Sequence, residues 1–139
     1  MKYILAGFTL RFLIAIWNGF FGPSFGAEGD ALLFHDIAVQ FSQFGLFDAK
    51  FNIGWVYSIF LGSIYFLTVN SIFIGSFLSC LTWLISALVL NKIIKLLGVQ
   101  KKYRDLALMG YAFLPSSILF TSVTLREVYQ LLFVNLLIY

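Results

Sequence analysis

The sequence predicts an all-α, polytopic membrane protein, and three observations lead to that prediction. The 139 residues are 61% hydrophobic and only 11% charged, too few charges to cover a soluble domain of this size. No charged side chain occurs from Phe51 to Asn91, a run about twice the roughly 20 residues that one spanning helix needs. Five of the nine basic residues fall between Lys92 and Arg104, which is typical of a membrane-topology signal rather than a nucleic-acid-binding face.

The first predicted element is a spanning helix over residues 3–21, flanked by Lys2 and ended by Gly22 and Pro23. Arg11 lies near its middle, where a guanidinium costs about 2.5–3.5 kcal/mol on insertion scales. A charge at this position also argues against a cleaved signal peptide. Two interpretations follow: Arg11 snorkels to the interface or pairs with a polar neighbouring helix, or it contacts a lipid phosphate.

The second predicted element is an amphipathic helix over residues 30–44 that lies at the interface instead of crossing the membrane. Its apolar residues recur at helical spacing, with Asp36 and Gln40 on the opposite face. Asp30 suits the N-cap position, and Gly45 suits the position after the last turn. This segment follows directly on Glu28 and contains His35, the single histidine of the chain.

Four further segments are apolar enough to be helical, namely 53–69, 71–97, 106–125 and 128–139. Pro115 should kink the third of these. The last has twelve residues and is too short to span, so we expect residues 1–139 to be a single membrane domain at the amino-terminal end of a longer protein.

The distribution of charge predicts the topology. If the amino terminus and the basic segment Lys92–Arg104 both lie inside, the acidic loop over residues 22–52 lies outside. An odd number of crossings must then separate that loop from the basic segment. Residues 53–69 are therefore predicted to be re-entrant or interfacial, which places Asp30, Asp36 and Glu127 on the outer side. The alternative is that 53–69 and 71–90 both cross, in violation of the positive-inside rule.

The order of these features resembles the GT-C fold glycosyltransferases, which take sugars from polyprenyl-phosphate carriers. The resemblance begins with an arginine in the first helix, Leu10-Arg11-Phe12-Leu13, and an acid before an amphipathic helix, Gly29-Asp30 to Ile37-Ala38. It continues with the short basic segment, then Leu114-Pro115-Ser116-Ser117 and Arg126-Glu127. It covers the amino-terminal part of such an enzyme, similar to the dolichyl-phosphate-mannose and aminoarabinose transferases.

The resemblance implies an inverting transfer of a lipid-linked sugar to an acceptor hydroxyl at the outer face of a bacterial plasma membrane. It implies Asp30 as catalytic base, with Glu28 as the other candidate, because a positioned carboxylate can take the hydroxyl proton. The remaining candidates would bind the donor and its phosphate, and they are Lys50, Arg126, Glu127 and Arg11. The partners implied are the bilayer and the lipid-linked sugar donor, and no nucleic acid.

His35 has no cysteine or second histidine at ligand spacing, so no zinc site is predicted. A divalent cation held by Glu28, Asp30 and Glu127 is a chemically reasonable alternative, since hard cations prefer oxygen ligands. The rival class of function is non-enzymatic, a transporter or flippase fragment or a small membrane assembly subunit, in which the same charged residues line a pathway or a partner contact.

Overall fold

A computed structural model describes residues 1–22, 29–44 and 56–139. The residues described form helices and no strand, which confirms the all-α prediction for this part of the chain. The helices are α1 (Lys2–Phe20), α2 (Asp30–Phe44), α3 (Val56–Leu67), α4 (Ile72–Leu96), α5 (Lys101–Phe113), α6 (Pro115–Thr121) and α7 (Glu127–Ile138).

Helices α1 and α4 pack antiparallel along their whole length. Gly19 near the end of α1 meets Phe73 at the start of α4, where an added Cβ would lie 2.5 Å from the Phe73 Cβ. Gly7 in the first half of α1 meets Trp83 further along α4 in the same manner. The start of α1 therefore lies at the same end of the bundle as the last turns of α4. We call this end, which carries Lys2 and residues 92–105, the basic end.

The helix predicted over 71–97 is observed as α4, and the basic residues 101–104, which lie outside the predicted helices, open α5. Helix α4 continues to Leu96 and α5 begins at Lys101, so the connection is only residues 97–100. Lysine and arginine are good helix formers, and their long side chains can reach water from a helix end. Gly98, with φ +68°, supplies the left-handed conformation that turns the chain between the two helices.

The segment expected as one helix over 106–125 is two helices that begin five residues earlier, at Lys101. Leu114 is extended, with ψ 119°, as the residue before a proline tends to be, and Pro115 opens α6 in the position where its missing N–H costs nothing. Together α5 and α6 run from the basic end towards the start of α4.

Helices α3 and α7 each accompany only half of α4. In α7, the Asn135 side chain donates to Ser86 Oγ at 2.8 Å, and the Tyr139 ring lies 5.8 Å from Lys92 Nζ, so α7 follows the half nearest the basic end. In α3, the Tyr65 hydroxyl lies beside Gly75, near the start of α4. Helix α3 thus lies in the half of the bundle opposite the basic end.

The surface of the described helices is rich in large apolar side chains, while polar and apolar side chains share the interior. Large apolar side chains are exposed on every long helix, for example Leu13, Phe66 and Leu137. The described interior contains apolar side chains such as Leu61 and Trp83 together with polar ones, which are Arg11, Asn18, Ser58, Ser76, Ser79, Thr82, Ser86, Asn91, Thr121, Ser122, Thr124 and Asn135. Two helices, α1 and α4, are long and apolar enough to cross a membrane by length and composition.

Candidate functional site

The predicted catalytic acid, Asp30, is the first residue of α2. The Gly29 carbonyl accepts the hydrogen bond from the Leu33 backbone N–H at 3.1 Å, so Gly29 holds the N-cap position and Asp30 the first helical position. Our expectation was one residue out. The Asp30 side chain is exposed.

The beginning of α2 packs against the chain between α6 and α7. Ala31 is buried with Val123 and Leu125, and Phe34 covers this cluster. The Arg126 guanidinium lies 5.7 Å from the centroid of the Phe34 ring, within the range of a cation–π contact. This packing brings the start of α2 and the start of α7 together, although they are distant in sequence. We call the surface formed by Asp30, Arg126 and Glu127 the acidic end.

Arg126 and Glu127 form an ion pair of 3.8 Å between Nε and Oε1, with both side chains about half exposed. Such an exposed pair contributes little stability, so either member is available to a ligand. The other two candidates, Glu28 and Lys50, lie outside the described residues. Within the described ranges, no three His, Cys, Asp or Glu side chains are grouped as metal ligands.

Arg11 lies apart from this surface, fully buried between α1, α5 and α6. Its Nε donates to Thr121 Oγ1 at 2.7 Å, and its two terminal nitrogens donate to the Ala112 carbonyl at 2.8 Å and Ser117 Oγ at 3.1 Å. A fourth bond goes to the Gly7 carbonyl at 3.1 Å. The Trp83 ring covers the guanidinium, with its centroid 3.7 Å from Cζ.

The break between α5 and α6 explains this arrangement. The last carbonyls of a helix lack internal donors, and the one at Ala112 is within the final turn of α5. A cation is also favoured at the negative end of a helix. The guanidinium therefore supplies the missing hydrogen bond, and its geometry matches the interpretation in which Arg11 pairs with a polar neighbouring helix.

Sequence reasoning missed a group of aromatic side chains that pack between α2, α3 and α7. The His35 Nδ1 lies 2.9 Å from the Tyr65 hydroxyl, and the Tyr57 and Tyr129 rings lie 5.3 Å apart. Burial lowers the pKa of His35, against the opposing charge of Asp36. The signal was present in the sequence, because Tyr57, Leu61 and Tyr65 follow one another at the four-residue spacing of a helical stripe.

Comparisons of the chain with protein-family models, with curated proteins and with solved structures found no match. The proposed relationship to GT-C enzymes therefore depends on the residues quoted above and on their placement.

Proposed function

We propose that the protein is a multi-pass membrane protein with its amino terminus and basic end inside. The exposed apolar side chains and the polar side chains buried between the helices support this, because lipid accepts exposed apolar residues while polar and small residues hold helices together. Helix α1, helix α4 and the pair α5–α6 each run the length of the bundle. Helix α3 extends along only half of the bundle, as a re-entrant element would. Helix α4 is then the one crossing between α2 and the basic segment.

We further propose that the protein is part of a glycosyltransferase that takes a sugar from a polyprenyl-phosphate carrier at the outer face. The observation that carries this proposal is the meeting of α2 with residues 123–126. It gathers an exposed carboxylate, Asp30, and an exposed guanidinium, Arg126, at one end of the molecule. Base and phosphate partner are the two groups that this transfer needs.

In the proposed reaction, the Asp30 carboxylate takes the proton of the acceptor hydroxyl while the hydroxyl oxygen bonds to the anomeric carbon of the sugar. The bond from that carbon to the phosphate oxygen breaks on the opposite face, so the configuration inverts. The phosphate leaves as an anion with the electron pair, and Arg126 stabilises it by a charge-assisted hydrogen bond. Glu127, paired with Arg126, orients that guanidinium.

The experiment compares Asp30→Asn with Asp36→Asn in membranes that contain the full-length protein. Both acids are exposed on α2, and only Asp30 lies at its first turn beside the 123–126 segment. Transfer of a radiolabelled sugar from a polyprenyl-phosphate donor should fall about 10²–10⁴-fold in Asp30→Asn, the usual contribution of a general base. It should stay near wild type in Asp36→Asn.

Equal rates for Asp30→Asn and wild type would remove Asp30 from the mechanism. Absence of transfer by wild type with every polyprenyl-phosphate sugar tested would reject the activity itself. The membrane placement has a separate test: the protein should remain in the membrane pellet after carbonate extraction, and release into the supernatant would contradict it.

A further inference from the structure

We propose that a cavity at the basic end binds the headgroup of an anionic phospholipid from the inner leaflet. The proposal depends on the membrane placement in the proposed function and is independent of sugar transfer. The cavity lies between the first turn of α1 and the first three turns of α5, far from Asp30.

The cavity has a volume of about 330 Å³, within the usual range of small-ligand sites. Its lining combines two tyrosines, two charged residues and two apolar residues, namely Tyr3, Tyr103, Lys102, Asp105, Leu106 and Met109. Tyrosines of this kind are typical of the membrane–water boundary, where one end of the ring is apolar and the other is wet.

Charge at this end is strongly unbalanced. Six cationic side chains lie at the basic end, and these are Lys2, Lys92, Lys95, Lys101, Lys102 and Arg104, against the single acidic side chain of Asp105. Of these cations, Lys102 lines the cavity itself. In the described part of the chain, none of these cations forms an ion pair with an acid, since the ion pair there is Arg126–Glu127. Lys2 Nζ lies 5.0 Å from the centroid of the Tyr3 ring, which brings a second cation to the lining.

The lining divides into a polar and an apolar side along α5. Lys102 belongs to the first turn of the helix and Asp105 to the second, and Leu106 and Met109 follow towards its middle, where both are exposed. A phospholipid has the same order, with a charged headgroup at the interface and acyl chains below it. Clusters of lysine and arginine at the inner end of spanning helices attract anionic lipids.

The carboxylate of Asp105 in the lining limits which anionic ligands the cavity can bind. It would repel a compact dianion such as inorganic phosphate, but it can accept a hydrogen bond from a hydroxyl. A phosphodiester with a hydroxyl-bearing headgroup satisfies both sides, with its phosphate at Lys102 and its hydroxyl at Asp105. We therefore infer phosphatidylglycerol-like lipids as the ligand.

The test is the thermal unfolding midpoint of the protein in mild detergent, measured after separate additions of phosphatidylglycerol, phosphatidylcholine and inorganic phosphate. Phosphatidylglycerol should raise the midpoint by on the order of 5 °C at saturation. The rise should disappear in Lys102→Gln, persist in Lys102→Arg, and persist in Lys95→Gln, a matched exposed lysine on α4 that does not line the cavity.

Equal midpoints with phosphatidylglycerol and phosphatidylcholine would overturn the proposal, and so would an equal loss in Lys95→Gln, which would indicate unspecific charge attraction. An equal rise with inorganic phosphate would assign the cavity to a free anion and reject the lipid. Asp30→Asn should keep the full rise, so failure of this inference and failure of the proposed sugar transfer are distinguishable.

Discussion

Two interfaces in this molecule are held together by different means. Around Arg11, helices α1, α5 and α6 are joined by three directional hydrogen bonds from one fully buried guanidinium, and a fourth goes to the Gly7 carbonyl within α1. Between α2 and α3, the backbones meet directly, because a Cβ added at Gly62 would lie 2.7 Å from the Ala38 carbonyl oxygen. Two hydrogen bonds link this second pair, one between His35 Nδ1 and the Tyr65 hydroxyl and one that Ser58 Oγ donates to the Phe34 carbonyl.

The protein therefore has a rigid part, around Arg11, and a looser part, formed by α2 and α3. The guanidinium group requires its acceptors in a fixed fork geometry, so small displacements of α5 or α6 would break several bonds together. The contact of α2 with α3 is mostly van der Waals packing, which yields more gradually. The candidate base lies on the looser part, in keeping with the tendency of ligand-binding elements to belong to the less stable regions of a fold.

The largest effect on stability is expected from Arg11→Met. This change removes four hydrogen bonds and leaves the Ala112 carbonyl without its side-chain donor, while it relieves the cost of burying a charge. We expect a net loss of about 2–4 kcal/mol in the free energy of unfolding, measured by denaturant titration in micelles. Lys101→Met, at an exposed position, should change stability by no more than about 0.5 kcal/mol. Equal effects would show that the guanidinium network does not stabilise the bundle.

A smaller and more local effect is expected from Gly62→Val. The new side chain would collide with Ala38 and Phe41, and such overpacking typically costs about 1–3 kcal/mol. Hydrogen exchange should increase at the amides of α2 and α3 and stay unchanged in α1 and α4.

Gly110→Ala is the matched control for that substitution, because a Cβ at this other helical glycine meets nothing within 4 Å. It should be neutral or stabilise the protein by up to about 1 kcal/mol. Faster exchange spread evenly over all helices in Gly62→Val would contradict the separation into two parts.

The smallest effect is expected from acidification. Because burial lowers the pKa of His35 below its ordinary value of 6.5, protons bind the unfolded state more readily than the folded one. The contribution of His35 is therefore complete above about pH 6.5 and is lost as the pH falls towards the lower folded pKa. Exchange at the α2 amides should rise over that interval in wild type and become independent of pH there in His35→Gln. A rise of the same size in the variant would assign the effect to Asp36 or another acid.

Much of the helical architecture could be predicted from the sequence. The apolar run from Phe51 to Asn91 and the spacing of residues in 30–44 lead to elements within a few residues of those observed, since length and periodicity are properties of the chain alone. The break at Leu114 follows from Pro115 for the same reason. Contacts that depend on where distant segments meet could not be foreseen, and these include the docking of Ala31 on Leu125.

The residues of the candidate site also include some that the sequence could predict and some that it could not. Asp30, Arg126 and Glu127 were singled out by residue type and position, and their shared end of the molecule followed from counting crossings. The partners of Arg11 were not foreseeable, because serine and threonine side chains and a backbone carbonyl carry no distinctive sequence signal. The role of His35 beside Tyr65 was missed because a lone histidine was weighed only as a metal ligand.

The placement of Arg11 also bears on how the protein is made. Three of its four acceptors belong to residues more than 100 positions further along the chain, which a ribosome adding about 5–20 residues per second reaches roughly 5–20 s later. In the proposed membrane placement, the first helix carries a cation without these three acceptors during that interval, which favours a hydrated place beside the insertion machinery over the lipid interior. The first helix to be synthesised is therefore among the last to reach its final position.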